Sequence, residues 1–348
     1  MHNSPVTHAG TDAAFNCEAD PGQTIASTPT LPSGKVARLS PALKAFAGTM
    51  RGLDRVAPRL TTELMLRHFV RPRRRRCDYQ AMLPAGAQRL NIAYRDQTLT
   101  GWRWGDVGSS SGGSKSWAPG DQGPAVLLVH GWEDHCGAML GLVKPLLQRG
   151  FRVVTMDAPG HGLSPAMDTH LLDTGEALAA LMEHTGRFEA IIAHSYGAAA
   201  TSLLLDRQPR WAPDHLTLIS PMQDIRQHLA IFAGIAGLSP AAWNRLQHRV
   251  QDRLGQALDG ISILSAAARL RSAGLVIHDR QDPLIPYAVS ARLVEHWRSA
   301  ELVATEGLGH RRTLRCEQVA ARIADHIDRH LQASICRMAR IHGGHGHA

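Results

Sequence analysis

The sequence predicts an α/β domain: a mostly parallel central sheet with helices on both faces. From residue 125 onward, short apolar runs alternate with stretches of helical periodicity, the β-α-β rhythm that builds parallel sheets with crossover helices. The apolar runs are continuous, as strands buried on both faces require. One interval, the 54 residues between Ser220 and Leu275, breaks the rhythm. It exceeds a single crossover and adds a small helical lid to the expectation.

The elements follow in order from local pattern. Residues 1–34 are rich in Pro, Thr, Ser, Gly and Ala without apolar periodicity, which predicts a disordered tail. Pro41 to Val70 reads as helix, since Leu53, Val56, Leu60 and Leu64 share one face. With the arginines that follow, 35–87 forms a helical basic extension. Two β-like runs, Gln88 to Ala93 and Thr98 to Trp104, precede a Gly/Ser/Pro loop over 105–123. Strand Ala125 to Val129, helix Gly141 to Arg149 and strand Phe151 to Met156 come next. Helix Leu172 to His184, strand Glu189 to Ala193, helix Gly197 to Asp206 and strand Leu216 to Ser220 continue the alternation. In the long interval Ile225 to Ala233, Pro240 to Leu258 and Ile261 to Leu270 have helical spacing, placing the lid within about 222–272. Strand Leu275 to His278, helix Tyr287 to Trp297, strand Glu301 to Ala304 and helix Leu314 to Gln332 complete a domain over 88–332. Residues 333–348 read as a flexible His/Gly-rich tail.

A hydrophobic content of 44% in 348 residues is enough for a sizeable core. No run of 18 apolar residues occurs, so no transmembrane segment is expected. The opening MHNSPVTHAGTDAAFNCEADPGQ has neither the basic start nor the apolar stretch of a secretory signal. Cys17, Cys77, Cys136, Cys316 and Cys336 show no CxxC spacing and an odd total, which predicts free thiols and a cytoplasmic location. The net charge of +8 is concentrated at the front, where residues 1–90 hold 13 Lys and Arg against 6 Asp and Glu. The body is nearly neutral, and no nucleic-acid partner is expected.

Candidate chemistry begins at Ser195. The strand Glu189 to Ala193 runs into His194-Ser195-Tyr196-Gly197 and then into an Ala-rich helix. A serine in such a strand–turn–helix is strained, with its hydroxyl exposed above the sheet edge. Strand and helix approach closely there, so small neighbours are needed. Gly197 meets that demand, and Ala193 stands where the G-x-S-x-G pattern has its first glycine. A helix N-cap serine is the bland alternative. The pair His130-Gly131 follows the first buried strand, so its loop can fold back; the expected oxyanion donors are the backbone N–H groups of Trp132 and Tyr196. Asp282 lies just past the strand Leu275 to His278, and His310 follows the last strand after two glycines. The order Ser, Asp, His completes a triad in which Ser195 attacks, His310 moves the proton and Asp282 fixes the imidazole.

HGW at 130–132, DAPGHGLS at 157–164, AHSYG at 193–197, HDRQDPLIP at 278–286 and GLGH at 307–310 resemble the landmarks of the α/β-hydrolase superfamily over about residues 88–332. The resemblance implies the α/β-hydrolase fold, a serine hydrolase activity, no organic cofactor and no metal. It also implies that Asp282 rather than Asp279 is the triad acid, that Asp224 stands in a rarer alternative position, and that Asp157 to Ser164 is a structural turn. His130 is expected to bond backbone, and His135 and Cys136 to line the pocket or serve structure.

The predicted activity is cleavage of a carboxylic ester or thioester through an acyl-serine intermediate. An acyltransferase, a C–C hydrolase or a non-catalytic binding protein on the same fold are the alternatives. Leu229, Ile231, Phe232, Ile235 and Leu238 in the lid predict a small-molecule substrate with an apolar acyl or alkyl group. RPRRRR at 71–76 offers weak contact with an anionic surface through Arg73 to Arg76, or is a solvated linker. The tail residues His342, His345 and His347 are not assigned a catalytic role.

Overall fold

The structure is a computed structural model and describes residues 41–73, 78–105 and 123–343. The expected tail 1–34, most of the loop over 105–123, Arg74 to Arg76, and His345 and His347 lie outside the described residues.

Two helices open the chain, α1 (Pro41–Val56) and α2 (Pro58–Val70). Where the periodicity predicts one helix, Pro58 begins a second: a proline tolerates the first helical position but cannot donate within a helix interior. An antiparallel pair follows, β1 (Gln88–Tyr94) and β2 (Gln97–Trp104). Then come β3 (Ala125–Val129), α3 (Leu140–Leu147), β4 (Arg152–Met156), α4 (Leu171–Thr185), β5 (Ala190–His194), α5 (Tyr196–Arg207) and β6 (His215–Ile219). The long interval holds α6 (Ile225–Ala236), α7 (Pro240–Leu254) and α8 (Ile263–Ala267). The chain closes with β7 (Ala273–Asp279), α9 (Ala288–His296), β8 (Ala300–Thr305), the short α10 (Gly309–Arg312) and α11 (Glu317–Gly343).

The eight strands form one sheet in the order β1-β2-β4-β3-β5-β6-β7-β8. Pairings from β4 to β8 are parallel, and β2 meets β4 antiparallel. Every residue of β3, β4, β5 and β6 is buried. Successive side chains point to opposite faces of a strand, so Leu127, Val129, Ile191 and Ala193 join one core while Val126, Leu128, Ala190 and Ile192 join the other. That two-sided burial is why these runs are apolar throughout.

Other boundaries also differ from the sequence expectation. Helix α7 stops at Leu254 because Gly255 turns left-handed at φ 65°. Only Ile263–Ala267 of the third inserted stretch is α-helical. Helix α11 runs past Gln332 to Gly343, so the segment expected as tail begins as helix. The inserted helices pack on the N-terminal pair. Asp54 accepts from Ser239 at 2.9 Å and pairs with Arg245, and Arg249 pairs with Glu63 at 2.6 Å.

Candidate active site

Strand β5 ends at His194 and α5 begins at Tyr196, leaving Ser195 alone in the turn at φ 53° and ψ −117°. A positive φ is strained for any residue with a side chain. The surroundings hold it there: Ser195 N donates to Ile219 O on β6 at 2.9 Å, and Ser195 O accepts from Ala198 N at 3.1 Å. A β-carbon on Gly197 would overlap the His130 carbonyl oxygen and stand 2.9 Å from Val129 Cγ1. Only glycine fits where this helix crosses the loop after β3. Ala193 is fully buried, its methyl group packed into the core of one sheet face.

His310 rides on α10 immediately after β8. Its Nε2 lies 2.9 Å from Ser195 Oγ and its Nδ1 lies 2.7 Å from Asp282 Oδ2. Asp282 Oδ1 accepts from the N–H groups of Leu284 (2.8 Å) and Ile285 (3.0 Å), and its Oδ2 lies 3.4 Å from His278 Nε2. Burial opposes ionisation of Asp282, but the bonds from His278 and His310 outweigh it and hold the carboxyl far below the ordinary carboxylate range. An ionised acid at Nδ1 keeps the proton on that nitrogen and leaves Nε2 to accept from the serine hydroxyl.

Trp132 and Tyr196 flank the serine with their rings 5.0 Å apart. No acceptor among the described residues takes up either backbone N–H. His130 shapes the loop: its Nδ1 donates to Gly131 O at 2.8 Å and its Nε2 accepts from Ala158 N at 3.0 Å. Free amides at the positive end of α5 suit a developing negative charge.

The other candidates are structural. Asp279 accepts from Thr305 Oγ1 (2.9 Å) and Leu308 N (2.9 Å), tying down the loop that carries His310. Asp224 caps α6 by accepting from Gln227 N at 2.6 Å. His135 and Cys136 are buried, and the His135 ring stacks on Tyr79 at 4.8 Å. Neither lines the narrow cleft described below. His161 is buried against Trp132, its pKa pushed down to about 3 by burial.

Two residues that the sequence reading passed over also shape the site. His194 Nε2 donates to His310 O at 2.9 Å, fixing the backbone that presents the His310 imidazole to Ser195. Asp157 is a hub, accepting from Tyr79 Oη (2.5 Å), Cys136 N (2.7 Å) and Leu163 N (2.7 Å). The AHSYG and DAPGHG motifs contain both residues, but motif membership alone does not reveal a long-range partner.

A narrow cleft beside the serine is lined by Phe69, Trp132, Leu171, Tyr196, Ile225 and His228 among others. The rings of Trp132 and His228 are 4.9 Å apart and those of Phe69 and His228 are 5.0 Å apart. Of the five apolar lid residues expected at the substrate, none lines this cleft. Leu229 is fully buried, and Ile231, Phe232 and Leu238 pack into the core cluster that includes Met65 and Phe69 of α2. Those side chains hold the insertion to the N-terminal helices, which the periodicity of either segment alone does not reveal.

Fold, motif order and site geometry converge with the comparisons. The chain has the α/β-hydrolase fold and is similar to serine hydrolases of that superfamily. Residues 121–259 match the family described as serine aminopeptidase, S33. A human serine hydrolase-like protein is 31% identical over 127 residues, covering 34% of this chain and 58% of its own. A pimeloyl-[acyl-carrier protein] methyl ester esterase of Methylococcus capsulatus is 40% identical over 77 residues, covering 22% of this chain and 29% of its own. The matches to the first three curated relatives span 34%, 58% and 43% of those proteins' lengths. Among solved structures, the esterase Pf2001 of Pyrococcus furiosus superposes with a TM-score of 0.54 at 18% identity, covering 75% of this chain and 99% of its own. That likeness is one of fold. Among the described residues, no helix is long and apolar enough to cross a membrane.

Proposed function

We propose that this protein hydrolyses a carboxylic ester or thioester through an acyl-serine intermediate on Ser195. The observation that carries the reading is the continuous chain of hydrogen bonds from Ser195 Oγ through His310 to the buried Asp282 carboxylate, at 2.9 and 2.7 Å. Ser195 Oγ attacks the carbonyl carbon while its proton passes to His310 Nε2. The carbonyl oxygen takes up the negative charge and accepts from Trp132 N and Tyr196 N. Collapse expels the alcohol or thiol, which leaves with the proton from His310. Water then attacks the acyl-serine with His310 again as base, releasing the acid and restoring the hydroxyl. Asp282 stays ionised throughout and stabilises the imidazolium. The name of the Methylococcus relative supports an ester substrate.

The helices α6, α7 and α8 act as a lid, with Ile225 and His228 as its contribution to the cleft. The cleft is too narrow to admit a water molecule, so an acyl or alkyl chain enters by parting the rings of Phe69, Trp132 and His228. Apolar and aromatic walls favour an apolar chain, since each buried methylene contributes about 0.8 kcal/mol.

The test is hydrolysis of p-nitrophenyl esters from acetate to dodecanoate, with Ser195→Ala as control. We expect activity that rises from acetate toward medium chains and falls by roughly 10⁴-fold or more in the variant. Equal activity in both proteins removes Ser195 from the mechanism, and a steady decline from acetate to octanoate removes the apolar-chain assignment. Labelling by a fluorophosphonate separates an activated serine from an inert one on a binding protein.

A further inference from the structure

At the sheet edge opposite Ser195, where the parallel strands begin, three histidines and a glutamate meet. His215 is the first residue of β6, Glu301 stands at the start of β8, and His326 and His330 lie one turn apart on α11. One ligand-type atom from each of Glu301, His326 and His330 lies within 4.8 Å of the others. The ring centroids of His326 and His330 are 4.5 Å apart.

His326 carries the argument. It is 1% exposed, and its Nδ1 lies 2.7 Å from His215 Nε2. Its Nε2 faces Glu301 Oε2 at 3.3 Å without hydrogen-bonding geometry, a buried nitrogen left without a hydrogen-bond partner. In the tautomer whose Nδ1–H donates to His215, the His326 Nε2 lone pair points at a carboxylate oxygen, an arrangement that a cation between the two atoms stabilises. Ligands about 2.0–2.1 Å from a tetrahedral zinc ion stand roughly 3.3 Å from each other, which is the spacing found between His326 Nε2 and Glu301 Oε2.

We propose that Glu301, His326 and His330 form a binding site for a divalent first-row transition ion, with His215 orienting His326 from behind. Two imidazoles and one carboxylate suit Zn²⁺ or its neighbours, whereas Mg²⁺ and Ca²⁺ take oxygen ligands. The hydrogen bond between His215 and His326 Nδ1 fixes the orientation of the ligating imidazole. The ion joins α11 to β8, the partly exposed edge strand of the sheet, and to the start of β6 behind it. At the far edge from Ser195 its role is structural rather than catalytic.

The experiment is titration of the metal-free full chain with Zn²⁺, followed by calorimetry and thermal unfolding, with Co²⁺ as spectroscopic substitute. We expect one ion at this site and a rise in Tm of roughly 5 °C at a hundredfold excess over Kd. Mg²⁺ should give no shift, and Co²⁺ should give the intense visible absorption of a four-coordinate centre. His330→Ala and Glu301→Gln should abolish the response while leaving metal-free unfolding and fluorophosphonate labelling of Ser195 close to wild type. Should His330→Ala unfold, His330→Asn serves in its place. A chain with His342, His345 and His347 all changed to Ala should keep the site. The proposal is overturned if the wild type gives no Zn²⁺ response, if the response survives both Glu301→Gln and the change at His330, or if it disappears with the three tail histidines.

Discussion

Ser195 is held at φ 53° by hydrogen bonds from its own main chain, and the turn survives only because Gly197 lets α5 pass beside the His130 carbonyl. Gly197→Ala therefore forces α5 and the loop after β3 apart. We expect a loss of about 1–3 kcal/mol in stability from overpacking and at least a tenfold drop in kcat, read by urea unfolding and ester hydrolysis. Asp282→Asn isolates a different property. The side-chain oxygen that accepts from Leu284 N and Ile285 N can be kept by the amide, so the loop stays in place. The charge and the tautomer control are lost, and kcat should fall by roughly 10⁴-fold with little change in unfolding. A variant with near wild-type kcat would show that His310 does not depend on this acid.

At the scale of elements, α2 belongs to the wall of the cleft as much as to the N-terminal extension. Its Phe69 is 4% exposed, lines the cleft beside Trp132 and meets the rings of His228 and Phe232. Phe69→Ala should widen the cleft and shift the preferred ester toward longer or bulkier acyl chains. It should also cost about 3–5 kcal/mol of stability, the usual range for emptying an aromatic core position. An unchanged chain-length profile in a folded Phe69→Ala protein would place the acyl chain elsewhere. Asp54, which accepts from Ser239 and pairs with Arg245, joins α1 to α7. The extension and the insertion thus pack as one layer over the site.

Across the whole molecule, several imidazoles are buried in neutral form. Burial pushes the pKa of His161 down to about 3, and burial and the adjoining His310 push His194 well below the ordinary value. In the unfolded chain both titrate near 6.5. Below that pH the unfolded state binds more protons, so stability falls as pH drops, by about 1.4 kcal/mol per pH unit for each such group, until the folded value is reached. Asp282 acts in the same direction at lower pH. Its depressed pKa contributes stability above the unfolded carboxylate range, and that contribution fades as pH falls toward the folded value. Urea midpoints at pH 7.5, 6 and 5 should decline at each step below 6.5. A flat profile between pH 7.5 and 5 would mean that these imidazoles ionise within the fold.

The sequence by itself determined the sheet, its crossover helices and the chain order of Ser195, Asp282 and His310. These are local signals: continuous apolar runs mark strands buried on both faces, and a small residue marks a close crossing. Boundaries set by a single residue, such as the stop at Gly255 and the break at Pro58, also had a local cause. Only the tertiary structure decided what Leu229, Phe232 and Leu238 pack against, because an apolar face does not name its partner. It likewise brought His194 to the backbone of His310, 116 positions away, and His215 to His326, 111 positions away. Hydrogen bonds of that reach depend on which strands become neighbours in the sheet, and periodicity along the chain carries no information about that.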